Sequence, residues 1–206
     1  MHKAIICDWS GTLSNNFQCF SKVCTIMFNE LGREPITDDE IRLHFTLPYM
    51  TFWNKYFPKL TKEKQCTMYE KLIHQAGEPK LYKQVNKTLQ RLHSKGYKIF
   101  IVSSDPLSKL IPEVEKSGLM PFIEKVIGNI HEKGKVIAAI VKEYNLDTTA
   151  TFYVGDTSGD IEAGKKACVK TVGISWGYQH KKILSKSKPD YLIDSIDEIK
   201  EIIENN

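Results

Sequence analysis

Asp8-Trp9-Ser10-Gly11-Thr12 follows directly on the apolar run Ala4-Ile5-Ile6-Cys7. A carboxylate at the end of a buried strand, followed by a turn of small residues, is a nucleophile presented at the carboxyl edge of a sheet. Open α/β proteins carry their chemistry at that edge. Two further apolar runs end in groups of the same kind. Lys98-Ile99-Phe100-Ile101-Val102 leads into Ser103-Ser104-Asp105-Pro106, and Ala150-Thr151-Phe152-Tyr153-Val154 leads into Gly155-Asp156-Thr157-Ser158-Gly159-Asp160. Between them, Lys133-Gly134-Lys135 opens a helical pattern. Asp156 and Asp160 are hard oxygen ligands of the type Mg²⁺ takes. Taken singly, each group has an ordinary structural reading: a turn aspartate, a strand-ending serine, a polar loop in which Asp160 caps a helix starting at Ile161.

The elements that must position these groups follow from periodicity. Lys3 to Cys7 reads as a continuous apolar strand, buried on both faces as in a parallel sheet. After Gly77 and Pro79 the pattern alternates helix and strand. Helices are expected over 85–95, 107–117, 136–144, 161–167 and 196–203, and strands at 98–102, 125–128, 150–154, 170–174 and 191–193. Such alternation implies a mainly parallel sheet with helices on both faces, joined by right-handed crossovers. Residues 17–77 differ: they lack strand signals and are rich in aromatics and helix formers. Cys19, Val23, Ile26, Met27 and Leu31 are spaced for one amphipathic helix stopped by Gly32. Thr37 and Glu40 form a capping box for a second, and Thr61 starts a third that runs to about Gln75. The aromatic cluster from Phe45 to Phe57 reads as the core of this helical block.

In type and order, these four groups resemble the four motifs of the haloacid dehalogenase superfamily, and the resemblance runs along the whole chain. It implies a Rossmann-like three-layer α/β core (residues 1–14 and 79–206) with a small helical cap (residues 15–78), of the phosphoglycolate-phosphatase-like branch. The closing stretches Thr171 to Tyr178 and Pro189 to Ser195 look like that branch too. It implies that Asp8 attacks phosphorus to form an aspartyl-phosphate, splitting one hard displacement into two easier steps. Asp8, the backbone carbonyl of Ser10 and Asp156 would bind Mg²⁺ directly, and Asp160 through water or by orienting the others. Ser103 would donate to the phosphoryl oxygens, with Ser104 as the alternative, and Gly11 and Thr12 would contact the substrate. The motif lysine is Lys133, at the spacing of the phosphoserine phosphatase branch, or Lys135. Trp176 and Tyr178 read as packing residues.

Ser10 departs from the family pattern, which places a second aspartate two residues after the nucleophile to protonate the leaving group and then activate water. Serine cannot do this near neutral pH, and such help is typically worth about 10²–10⁴-fold. Hydrolysis should therefore be slow, or another residue must stand in. Two alternatives to a phosphate monoester hydrolase follow. The phosphonoacetaldehyde hydrolase family carries Asp-Trp-Ala-Gly-Thr here and cleaves a P–C bond with a cap lysine, for which Lys55 is the candidate. The other is a non-catalytic binding protein with the same fold.

A net charge of +4, spread without a basic arm, suits a small phosphorylated metabolite and gives no case for nucleic acid. The first apolar run breaks at Asp8, far short of a membrane span. Five cysteines, an odd number with no CxxC spacing, argue against a disulfide framework or zinc site and for a reducing compartment, the cytoplasm. Monomer and homodimer both remain open.

Overall fold

The computed structural model describes residues 1–46 and 49–204. Six strands form one parallel sheet: β1 (His2–Cys7), β2 (Lys98–Val102), β3 (Lys125–Ile127), β4 (Leu146–Gly155), β5 (Lys170–Ile174) and β6 (Tyr191–Ile193). Their order is β3-β2-β1-β4-β5-β6. The order reverses at β1, which pairs with β2 on one side and β4 on the other, and this switch point is where such sheets open a crevice.

The alternation of side chains across each strand explains the layers. Ile5 and Cys7 join Ile99, Ile101, Phe152 and Val154 in one buried cluster, with α5 (Val85–Ser94), α6 (Leu107–Lys116) and α10 (Glu198–Glu204) packed on it. Ala4 and Ile6 point the other way and join Phe100, Val102 and Tyr153, covered by α7 (Lys133–Glu143) and α8 (Ser158–Lys166). The fold is therefore the expected Rossmann-like α/β sandwich.

Among the described residues, four helices fill the stretch between β1 and α5: α1 (Asn16–Glu30), α2 (Asp38–His44), α3 (Met50–Tyr56) and α4 (Lys62–Ile73). They bury their own apolar cluster, including Phe17, Val23, Met27, Phe28, Phe52 and Trp53. The chain leaves and re-enters the sheet layer at one place. Asn15 N donates to Lys80 O (2.7 Å) and Tyr82 N to Leu13 O (2.9 Å), so the two connections lie side by side.

Several boundaries differ from the sequence expectations. α8 begins at Ser158 rather than Ile161. Thr157 is its N-cap and Asp160 its third residue, and the two complete a capping box. Asp160 is thus inside the first turn, not in front of it. β4 starts at Leu146 rather than Ala150; Asp147, Thr148 and Thr149 break the apolar pattern there. α3 was not expected, since no side chain caps its N-terminus. α9 (Lys181–Lys186), capped by His180, was also unforeseen. The capping box of Thr37 and Glu40 is present as read.

Candidate active site

Cys7 lies opposite Val154 in the β1–β4 pairing, so the residues that follow emerge side by side. Asp8 N donates to Val154 O (2.9 Å), fixing the first turn after β1. Asp8 and Asp156 therefore stand at one sheet edge, and α8 returns Asp160 beneath them. One oxygen from each of Asp8, Asp156 and Asp160 lies within 4.8 Å of the others, and all three residues are buried.

Lys133, at the start of α7, reaches into this cluster. Its Nζ is 3.0 Å from Asp8 Oδ1 and 2.8 Å from Asp160 Oδ1. Asp160 also accepts from Tyr153 Oη (2.9 Å), Thr157 N (3.1 Å) and Thr157 Oγ1 (2.6 Å). Burial alone would raise the Asp160 carboxyl, but Lys133 and these donors outweigh it and hold it below the usual range. Burial would likewise depress Lys133, yet Asp160 and Asp8 push it well above an ordinary lysine. Asp156 makes no ion pair among the described residues, and Lys133 acts on it only from a distance. It accepts from Thr12 Oγ1 (3.1 Å) and Tyr178 N (2.6 Å). Burial, then the Asp160 and Asp8 carboxylates, raise its carboxyl to about 8. Burial first, against the pull of Lys133 and with the push of Asp160, raises Asp8 to about 7. Three buried carboxylates with one lysine form an excess of negative charge that a divalent cation would offset.

The backbone is shaped around Asp156. Gly11 has φ +83°, and a Cβ there would meet Asp156 Oδ2 and the Tyr178 ring at 2.5 Å. A Cβ on Gly177 would collide with Asp156 Cβ and its carboxylate. Gly11 and Thr12 thus back the acidic cluster rather than line the cavity above it. Ser103 is buried, and its Oγ donates to Asp105 Oδ2 (2.9 Å). Ser104 lines the cavity. Lys135 also lines it, but is exposed and paired with Glu132 at 2.7 Å. Of the two lysines, only Lys133 contacts the cluster. Lys55 is not among the lining residues; it is exposed, 2.6 Å from His44 Nδ1.

Asp105 has no role in the sequence reading, yet Ser10 Oγ donates to its Oδ2 at 2.6 Å, and both line the cavity with Asp8. Burial would raise the Asp105 carboxyl, but Lys109 (2.9 Å) and the Ser10 and Ser103 hydroxyls outweigh it and lower it. Asp105 follows Ser104 in the chain, but only the adjacency of β1 and β2 brings it to Ser10. Tyr178 was likewise underread. It packs against Phe17, Phe20 and Phe45 of the helical segment and also faces the cavity.

The structure is an α/β protein with a buried carboxylate cluster at the strand ends of its sheet. The haloacid dehalogenase-like hydrolase family model matches residues 5–174, and the chain belongs to that family. A phosphoglycolate phosphatase of Vibrio parahaemolyticus is 31% identical over 129 residues, 60% of this chain and 56% of that protein. The match to this relative thus spans little more than half its length. A phosphoglycolate phosphatase of Aquifex aeolicus is 26% identical over 99% of this chain and 98% of its own. Among solved structures, a haloacid dehalogenase-like hydrolase of Streptococcus pneumoniae superposes with a TM-score of 0.79 at 22% identity, covering 98% of both chains.

Proposed function

We propose that the protein is a Mg²⁺-dependent hydrolase of a small phosphate monoester, with Asp8 as nucleophile. The observation that carries this reading is the convergence of Asp8, Asp156 and Asp160 at one sheet edge, with Lys133 paired to Asp8 and Asp160. Relatives named phosphoglycolate phosphatase, and Pyrophosphatase PpaX of Listeria monocytogenes at 25% identity over 97% of this chain, support it.

Asp8, the Ser10 carbonyl and Asp156 would hold the ion, with Asp160 behind them. When bound, Mg²⁺ withdraws charge from the phosphoryl group and screens it from the carboxylates. Asp8 attacks phosphorus as the P–O bond to the leaving oxygen breaks and the electron pair leaves on that oxygen. Lys133 favours the ionised form of Asp8 and orients it, and Ser103 or Ser104 donates to the phosphoryl oxygens. Water then attacks the aspartyl-phosphate, and Asp8 leaves as a carboxylate. Asp105, held by Ser10 and ionised, takes the proton from that water and so supplies the base, though not the acid, of the aspartate that Ser10 replaces. Residues 15–78 act as a cap that closes over the site and excludes water. Five free cysteines are consistent with the cytoplasm.

The test is Mg²⁺-dependent turnover of a panel of phosphate monoesters. Turnover that Asp8→Asn abolishes, together with loss of the acid-trapped aspartyl-phosphate, is the expected result. Turnover retained in Asp8→Asn would overturn the reading.

A further inference from the structure

Above Asp8 the cavity has a volume of about 1340 Å³, beyond the roughly 300–1,000 Å³ typical of small-molecule pockets. Its far wall is aromatic: Phe20, Phe45, Tyr49, Trp53 and Tyr69 from the helical segment, joined by Tyr178 from the sheet layer. The rings form a continuous surface, with centroids 5.6 Å apart for Phe20–Phe45 and 4.9 Å for Phe45–Tyr178. Two amides interrupt it. Asn16 is 7% exposed, and its Oδ1 has no hydrogen-bond partner among the described residues. Gln65, 4% exposed, makes no side-chain hydrogen bond among them either. A buried acceptor without a partner is costly.

The aromatic wall itself offers a second anion no cation. The helical segment contributes Glu70, Glu78 and His74 to the lining, and no lysine or arginine among the described residues. Lys133, Lys109 and Lys135, on the opposite wall, are each paired with acids; Lys166, exposed, also lines the cavity away from the aromatic wall and has no ion pair among the described residues. A carboxylate or a second phosphate at the aromatic wall would be desolvated without a counter-ion. Ser10, moreover, offers no acidic proton, which favours a leaving group that departs without one.

We infer that the alcohol released here is uncharged and aromatic. This rests on the hydrolase reading above. The P–O bond breaks with its electron pair on a phenolate oxygen, which the ring stabilises and which later takes a proton from solvent. Phenols leave more readily than aliphatic alcohols, so the absent acid costs little.

The experiment compares phenyl phosphate, 4-aminophenyl phosphate, phosphoglycolate and pyrophosphate as substrates with Mg²⁺. Beside it, binding of phenylphosphonate and phosphonoacetate is measured, since neither turns over. The expected result is about tenfold or greater preference for the aryl compounds in both kcat/KM and binding, a difference of about 1.4 kcal/mol. Gln65→Lys should raise phosphoglycolate turnover relative to phenyl phosphate. Phosphonoacetate binding as tightly as phenylphosphonate would overturn the inference while leaving the hydrolase reading intact. If no ester turns over, the hydrolase reading fails and the order of phosphonate binding alone decides the inference.

Discussion

At the scale of single residues, the unusual feature is a serine where the family keeps an aspartate, answered by a carboxylate from another strand. Ser10 and Asp105 are 95 positions apart, and their 2.6 Å hydrogen bond exists only because β1 lies beside β2. This could not be read from the chain, where Asp105 looks like one more turn residue before Pro106. Asp8, Lys133, Asp156 and Asp160 could be read, because each sits at a recognisable strand end or helix start. Asp105→Asn should lower turnover by about 10²-fold, the lower end of what acid–base help supplies. Adding Ser10→Asp to Asp105→Asn should recover part of that loss, since the carboxylate then comes from its usual strand. Steady-state kinetics of the two variants checks this; unchanged turnover in Asp105→Asn would remove Asp105 from the mechanism.

At the scale of elements, the site depends on helix starts. α8 begins three residues earlier than its apolar pattern suggested, because Thr157 and Asp160 cap each other and Ser158-Gly159 carry no periodic signal. One carboxylate thus serves both the helix and Lys133. Thr157→Ala should destabilise the protein by about 1 kcal/mol, the usual cost of a lost cap. It should also lower turnover, since Asp160 loses the Thr157 hydroxyl donor and its hold on Lys133 loosens. Denaturant unfolding and kinetics on the same variant separate the two effects; a stability loss with full activity would show that Asp160 does not need the Thr157 hydroxyl. The α3 helix escaped the sequence reading for the complementary reason: Phe52 and Trp53 are placed by burial against α1, not by local start or stop signals.

At the scale of the molecule, the helical segment and the sheet layer are tied at both ends of the site. Beside the paired connections at Asn15 and Lys80, Arg42 reaches from α2 to the loop that carries Tyr178. Its Nε donates to Gly177 O (2.8 Å), its guanidinium lies 3.7 Å from the Phe17 ring centroid, and its own carbonyl accepts from His180 N (3.0 Å). The same loop holds Asp156 through Tyr178 N. The layered fold was legible in the alternation of β and α patterns; this clasp was not, since nothing near Arg42 in the chain marks its partners. Arg42→Ala should cost about 1–3 kcal/mol, as for a hydrogen-bonded charge, and limited proteolysis should cut residues 15–78 sooner. An unchanged cleavage rate would mean that the ring contacts of Tyr178 suffice to hold the segment.

The account as a whole depends on a cation between two carboxylates carried by neighbouring strands. A crystal soaked in Mn²⁺ and measured at its absorption edge tests this most directly. One anomalous peak bridging Asp8 and Asp156, absent in Asp156→Asn, is the predicted result. A soaked crystal with no peak at that position, or with its only peak elsewhere, would contradict it.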